Sequence, residues 1–229
     1  MQYPKRKDIE NLNYRIVSLG HNCFPRTVLT RWGLKPDRSE GELSMPFDLA
    51  TFETFEITKN IQNDFENFFD NLEYREKPHF LKKEGYWIKA PDCIEFMHEK
   101  DLKKDEKQKL IDIYKKRIDN FRICLNDPIP IVFVQLLGDC DDTENLYDSL
   151  KKIRGDKPFS LVILDPQDSV KHSNPNISVL KLKYPSPDYK NNWWSQKYYT
   201  SKEGKLFEQK IADFCLEQIN NLNKKGEIL

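Results

Sequence analysis

Arg15-Ile16-Val17-Ser18-Leu19-Gly20-His21-Asn22-Cys23 is the stretch on which the fold turns. A short β-rich run, Arg15 to Leu19, leads into a turn opened by Gly20, and Val28, Leu29 and Trp32 then follow at helical spacing as far as Gly33. This is strand, tight turn, helix. Asn22 suits the N-cap, Pro25 stands in the first turn where a missing N–H costs nothing, and Gly33 suits the left-handed position after the last turn. Cys23 is thereby placed at the positive end of a helix.

Outward from that unit the same alternation recurs. Ile57, Ile61, Phe65, Phe68, Phe69 and Leu72 recur at three-to-four spacing and predict an amphipathic helix from Phe55 whose aromatic stripe belongs to the core. Pro78 to Asp101 reads as an excursion with short strands around Tyr86-Trp87-Ile88 and Ile94-Glu95-Phe96-Met97. The mixed charges of Lys100 to Lys109 read as a solvated loop leading into a long helix through Leu110, Tyr114, Ile118, Phe121 and Leu125, which ends before Pro128. Strands are predicted over Ile129 to Leu137, Phe159 to Leu164 and Ile177 to Leu182, with a helix from Asp142 to Arg154 closed by Gly155. Thr200-Ser201-Lys202-Glu203 has capping-box spacing, and a closing helix carries Leu206, Phe207, Ile211, Phe214, Cys215 and Ile219. Near-continuous apolar strands separated by helices predict a three-layer α/β/α fold with a mainly parallel central sheet. At 229 residues the expectation is one α/β domain behind a flexible lead-in of about 13 residues.

Composition narrows the function classes. Lysine plus arginine balance aspartate plus glutamate at 37 each, so no global field favours nucleic acid or an anionic membrane. The opening MQYPKRKDIENLNY has basic residues but no apolar core after them, and no stretch reaches the roughly 18 apolar residues of a membrane span. A cytoplasmic location is expected. Five dispersed cysteines lack the paired spacings of a zinc site or a disulfide framework, and no histidine pair falls at ligand spacing; neither metal nor cofactor is expected. Cys124 and Cys215 lie within helical apolar patterns and read as packed thiols.

Cys23 reads differently. In a parallel sheet, ligands gather beyond the carboxyl ends of the strands. A thiol there, at a helix N-terminus with free backbone N–H groups, is expected to favour the thiolate and to lie where a developing oxyanion is stabilised.

The pair Ser18-Leu19-Gly20-His21-Asn22-Cys23 and Ser44-Met45-Pro46-Phe47-Asp48 resembles the signature of DUF1796, a bacterial family described as papain-like cysteine peptidases. Further along, His98, the segment Lys116-Arg117-Ile118-Asp119-Asn120-Phe121 and Ile131-Val132-Phe133-Val134 resemble the family's histidine block, arginine-containing helix and buried strand, in that order. Leu49 stands where the family usually has tryptophan, and His98-Glu99 where it tends to have His-Asp. The resemblance runs from about Arg15 to Val134. It implies acyl transfer or hydrolysis: Cys23 attacks a carbonyl, His98 is the first choice of base with His21 as the alternative, and Asp48 orients the imidazole or positions the substrate.

Gly20, His21, Asn22, Ser44 and Phe47 are candidate substrate-contacting residues, joined by Trp193 and Trp194, whose neighbourhood with Tyr198 and Tyr199 suits an aromatic wall for a peptide, acyl or glycan substrate as well as a packing cluster. His79 and His172 read as loop residues. Two other functions fit the same residues: an esterase or carbohydrate-related transferase of surface-glycan assembly, and a non-catalytic glycan- or peptide-binding module in which Cys23 is unreactive. The first lacks the late histidine of Ser-Gly-Asn-His esterases, since Lys197-Tyr198-Tyr199-Thr200-Ser201 stands in its place, and no phosphate-binding glycine loop supports a nucleotide donor.

Overall fold

The computed structural model describes residues 13–75, 85–88, 94–96, 98–99, 102–139, 142–170 and 174–226. The expected lead-in, His79, Cys93, Met97, Cys140 and His172 fall outside them.

In chain order the elements are β1 (Arg15–Gly20), α1 (Phe24–Arg31), α2 (Thr54–Gln62), β2 (Leu72–Arg75), β3 (Gly85–Ile88), α3 (Lys107–Asn126) and β4 (Ile131–Leu136). They continue as α4 (Thr143–Arg154), β5 (Phe159–Asp165), β6 (Ile177–Lys181), α5 (Pro187–Asn192), α6 (Gln196–Tyr199) and α7 (Lys202–Gly226). β1, β4, β5 and β6 form one parallel sheet in that order, with Ile16 opposite Val132, Val134 opposite Val162 and Ile163 opposite Val179.

Strand alternation sorts the core into two faces. Val17, Leu19, Ile131, Phe133, Leu161 and Ile163 pack against Ile57 and Ile61 of α2, Tyr114 and Phe121 of α3 and Leu146 and Leu150 of α4. Ile16, Val132, Val134, Val162 and Leu164 pack against Val28 and Leu29 of α1 and Phe207, Ile211, Cys215 and Ile219 of α7. The result is the expected α/β/α arrangement, with the sheet apolar on both sides. Among the described residues no helix is long and apolar enough to cross a membrane.

Three boundaries differ from expectation. The helix predicted through Leu72 stops at Gln62, because Asp64, Phe65 and Asn67 take positive φ values of 51°, 60° and 61°. Asp and Asn tolerate that region; for Phe65 the strain is offset by burying its ring, while Arg122 pins the bend through the Asp64 carboxylate and carbonyl, each at 2.9 Å. Phe65 and Phe68 still reach the core as expected, but Leu72 does so from β2, which pairs antiparallel with β3. At the last helix it is Ser201, not Thr200, whose hydroxyl accepts the Gly204 N–H at 3.0 Å; Thr200 turns back to the Gln196 carbonyl. The third difference is at the first helix and belongs to the site.

Candidate functional site

β1 ends at Gly20 with φ +85°, and a Cβ there would approach the Phe47 carbonyl oxygen to 2.9 Å. Only glycine lets the Pro46–Asp48 turn close onto the strand end. His21 continues in a left-handed conformation, φ 40°. Helix α1 then starts one residue later than expected: Cys23 occupies the N-cap, and Asn22 serves from outside by accepting the Phe24 N–H at 2.8 Å. The Cys23 carbonyl receives both the amide and the hydroxyl of Thr27, at 3.0 and 2.8 Å. At the other end, Gly33 has φ +73° and the Leu34 amide reaches back to the Leu29 carbonyl at 2.9 Å, a Schellman closure.

The thiol of Cys23 is half-buried against the α1–α7 face of the core. Burial pushes it above the ordinary cysteine range, while its own backbone amide and the charge of Arg26 pull the other way. Desolvation therefore wins over the helix terminus, against the expectation of a resting thiolate. Cys124 and Cys215 are buried throughout, and burial lifts them to about 11 and about 12, as fits packed thiols.

Beside this turn stands an imidazole–carboxylate pair. His21 Nδ1 lies 3.2 Å from Glu53 Oε1, with the two side chains 32% and 30% exposed. The His21 carbonyl accepts the Phe52 N–H at 3.2 Å, which ties the turn to the segment opening α2. Gly138, just past β4, floors the pair: a Cβ on it would meet Glu53 Oε2 at 2.2 Å and His21 Nδ1 at 2.6 Å. Sequence reading missed both Glu53 and Gly138, which belong to no motif. Their one signal is position: Glu53 precedes a helical pattern, and Gly138 follows a buried strand.

Asp48 is completely buried. Its Oδ2 accepts the Met45 N–H at 2.9 Å across the turn and lies 3.6 Å from Arg26 Nε; its Oδ1 has no hydrogen-bond partner. The carboxylate thus faces helix α1 and its cation rather than open solvent. Phe47 is also fully buried, its ring 5.0 Å from that of Phe52 and 5.4 Å from that of Phe121. Its side chain belongs to the core, and its carbonyl is the part that meets the Gly20 turn. Ser44 is half-buried, and its backbone carbonyl accepts the Asn120 side-chain amide of α3 at 3.1 Å.

His98 is exposed, on the turn after a short segment bridged to β3 through Trp87 and Glu95. That segment is held at two points: Glu95 exchanges hydrogen bonds with Thr51, and the Glu99 carboxylate takes Arg117 Nη2 of α3 at 2.5 Å. The two tryptophans part company. Trp193 is buried edge-on to Phe24, 5.1 Å away and next in sequence to Cys23, whereas Trp194 stands 59% exposed at 5.7 Å from Trp193. Among the described residues no group of three His, Cys, Asp or Glu side chains is gathered as a metal site.

A family model described as "putative papain-like cysteine peptidase (DUF1796)" matches residues 14–156, more than half of the chain. The match covers β1 through α4, including the Cys23 turn, Asp48, Glu53, His98 and Gly138. Comparison with curated proteins and with solved structures gave no match to either.

Proposed function

For a chain that belongs to the DUF1796 family, we propose cysteine-dependent acyl transfer or hydrolysis centred on Cys23. The observation that carries the reading is a half-buried thiol, at the carboxyl end of β1, in the same turn as an imidazole whose Nδ1 lies 3.2 Å from a carboxylate. Because burial keeps the thiol neutral at rest, its proton has to be taken as the sulfur attacks, and a base is required. His21 is the base in this proposal. Glu53 at Nδ1 leaves Nε2 to receive the proton and stabilises the imidazolium that forms.

The sulfur bonds to the substrate carbonyl carbon, the proton passes to the imidazole, and collapse of the tetrahedral intermediate expels the leaving group with that proton. A thioester remains on Cys23, to be cleaved by water or by a second nucleophile. No cofactor enters this chemistry. Trp194, exposed beside the buried Trp193–Phe24 contact, offers a face for the substrate.

His98 is the second reading for the base. It is favoured by its place in the family's order of blocks and by the Glu95–Thr51 bonds that join its segment to the loop before Glu53. Asp48, buried on Arg26, serves either reading from below the site.

The test is stoichiometric acylation by p-nitrophenyl esters, read as a burst and located by peptide mass spectrometry. One equivalent on Cys23, absent in Cys23→Ala and slowed at least tenfold in His21→Ala, is the expected result. Slowing in His98→Ala alone moves the base to His98. Folded protein that no ester or thioester acylates at Cys23 overturns the enzymatic reading in favour of a peptide- or glycan-binding module.

A further inference from the structure

We propose that Arg26 and Asp48 act on Cys23 as a unit: Arg26 supplies the positive charge that stabilises the thiolate, and the buried Asp48 fixes the guanidinium beside the thiol's helix. The catalytic meaning of the pair rests on Cys23 being the nucleophile; the electrostatic relation does not. Asp48, fully buried, is a positioning residue.

The geometry begins with spacing. Arg26 follows Cys23 by three residues at the start of α1, so the two side chains share a face of the helix. Its side chain is 22% exposed, but Nε is wholly covered and makes no hydrogen bond. Across from it, 3.6 Å away, is Asp48 Oδ2, on a carboxylate with no exposure at all. The Met45 amide takes one side of that carboxylate, and Oδ1 is left without a donor. A carboxylate so placed is tolerated only beside a cation, and Arg26 is the cation at its side.

The two charges hold each other where neither is well solvated, so water screens the guanidinium little, and its effect on a third group depends on its being nearer to that group than the carboxylate is. That third group is the thiol, for which Arg26 already offsets part of the effect of burial. The other ionisable groups around the turn are His21 and Glu53 on the preceding loop and the start of α2, and Tyr184 after β6, whose ring lies 6.4 Å from that of Phe24. His21 and Glu53 face each other at 3.2 Å, and burial lifts Tyr184 to about 12, so the phenol is neutral at neutral pH. Arg26 is left as the side-chain charge that acts on sulfur, and Asp48, its partner at 3.6 Å, acts on sulfur through where it holds that charge. The pair also explains a turn that ends in a fully buried acid: Pro46–Asp48 delivers the carboxylate to α1 while Gly20 lets its backbone close.

The experiment is the pH dependence of iodoacetamide labelling at Cys23, read by peptide mass spectrometry in the full chain, with Cys215 as the buried control and circular dichroism to confirm folding. Arg26→Gln is expected to raise the midpoint and slow labelling roughly tenfold below it, with the high-pH plateau unchanged. Arg26→Lys restores most of the rate. Asp48→Asn, which frees the guanidinium to move toward water, raises the midpoint when Arg26 is present and leaves it unmoved in the Arg26→Gln background.

An Arg26→Gln midpoint equal to wild type overturns the proposal, and so does an Asp48→Asn shift of equal size with and without Arg26. If Asp48→Asn does not fold, the two Arg26 variants decide the outcome. The readout needs no turnover: loss of Cys23 acylation with these shifts intact removes the enzymatic reading and leaves the pair, while acylation with unmoved midpoints does the reverse.

Discussion

Gly138→Ala separates stability from chemistry at the candidate site. The added methyl would lie 2.2 Å from Glu53 Oε2, 2.9 Å from Glu53 Cδ and 2.6 Å from His21 Nδ1, so the pair cannot keep its place. All three are side-chain atoms of residues about one third exposed; Glu53 Oε2 and His21 Nδ1 are themselves covered, so both side chains must turn outward to make room. What the fold loses is a partly exposed imidazole–carboxylate contact, about 0.2–1 kcal/mol. What it gains is the reduced freedom of the unfolded chain on replacing glycine by alanine, about 0.4–1 kcal/mol. The two nearly cancel, and urea unfolding is expected to place the variant within about 1 kcal/mol of wild type. Acylation of Cys23 is expected to fall with that of His21→Ala, because the imidazole has lost its carboxylate and its position. Two results refute the reasoning: a stability loss above about 3 kcal/mol, meaning that the side chains cannot yield, or unchanged acylation in a variant whose His21–Glu53 contact is demonstrably broken.

Gly20→Ala combines a left-handed φ with a backbone oxygen that cannot move aside, and is expected to cost at least 2 kcal/mol in urea unfolding, roughly the sum of the conformational penalty and a displaced Pro46–Asp48 turn. Glu208 of α7 is fully buried and receives Trp32 Nε1 and Tyr189 Oη, each at 3.0 Å, together with Arg31. Glu208→Ala leaves that guanidinium facing an empty site and is expected to lose about 3–5 kcal/mol, measured the same way. Asp165 at the end of β5 is also buried; burial works to raise its carboxyl, but the amides of Val170, Ser169 and Gln167 prevail and hold it below the ordinary carboxylate range. Its contribution is therefore full above the unfolded value near pH 4 and fades as pH falls through the lower folded value. The stability gap between wild type and Asp165→Asn, followed by urea unfolding from pH 7 to pH 2.5, is expected to narrow only at the acid end; a gap that widens on acidification contradicts the assignment.

The parts of the fold that could be read in the sequence are those decided locally. β1, its glycine turn and α1 follow from a short β-rich run, a helical repeat and Gly33, and the parallel sheet follows from apolar runs spaced by helices. The errors arise where burial outvotes local spacing. Phe65, Phe68 and Leu72 keep a helical period although the backbone has left the helix, because a turn of Asx residues delivers the same rings to the same core. β2 has only four residues, and half of its alternation is polar. Asn22 and Cys23 differ by one position because an Asn side chain reaches the amide two residues ahead without being the cap itself. Of the candidate site, the placement of Cys23 and His21 is legible because one loop supplies both. Glu53, Gly138 and the Arg26–Asp48 relation join segments far apart in sequence, and no spacing within one segment encodes them.

Helix α1 has only eight residues, too few to be stable by its own hydrogen bonds, yet it carries the candidate nucleophile. Its anchoring is ionic at both ends. Near the start, Arg26 meets the buried Asp48; at the finish, Arg31 and Trp32 meet the buried Glu208, and Arg31 also lies 3.7 Å over the ring of Tyr199. The first contact comes from the turn that closes on β1, the second from α7 on the far side of the chain's length. Between them Phe24, Val28 and Leu29 are buried against the sheet and α7, so the helix has little room to slide or rotate. A thiol on a free helix end would sample many distances from His21 and Glu53. Here its backbone is clamped from two directions, which is what a proton transfer between sulfur and imidazole demands of a fold.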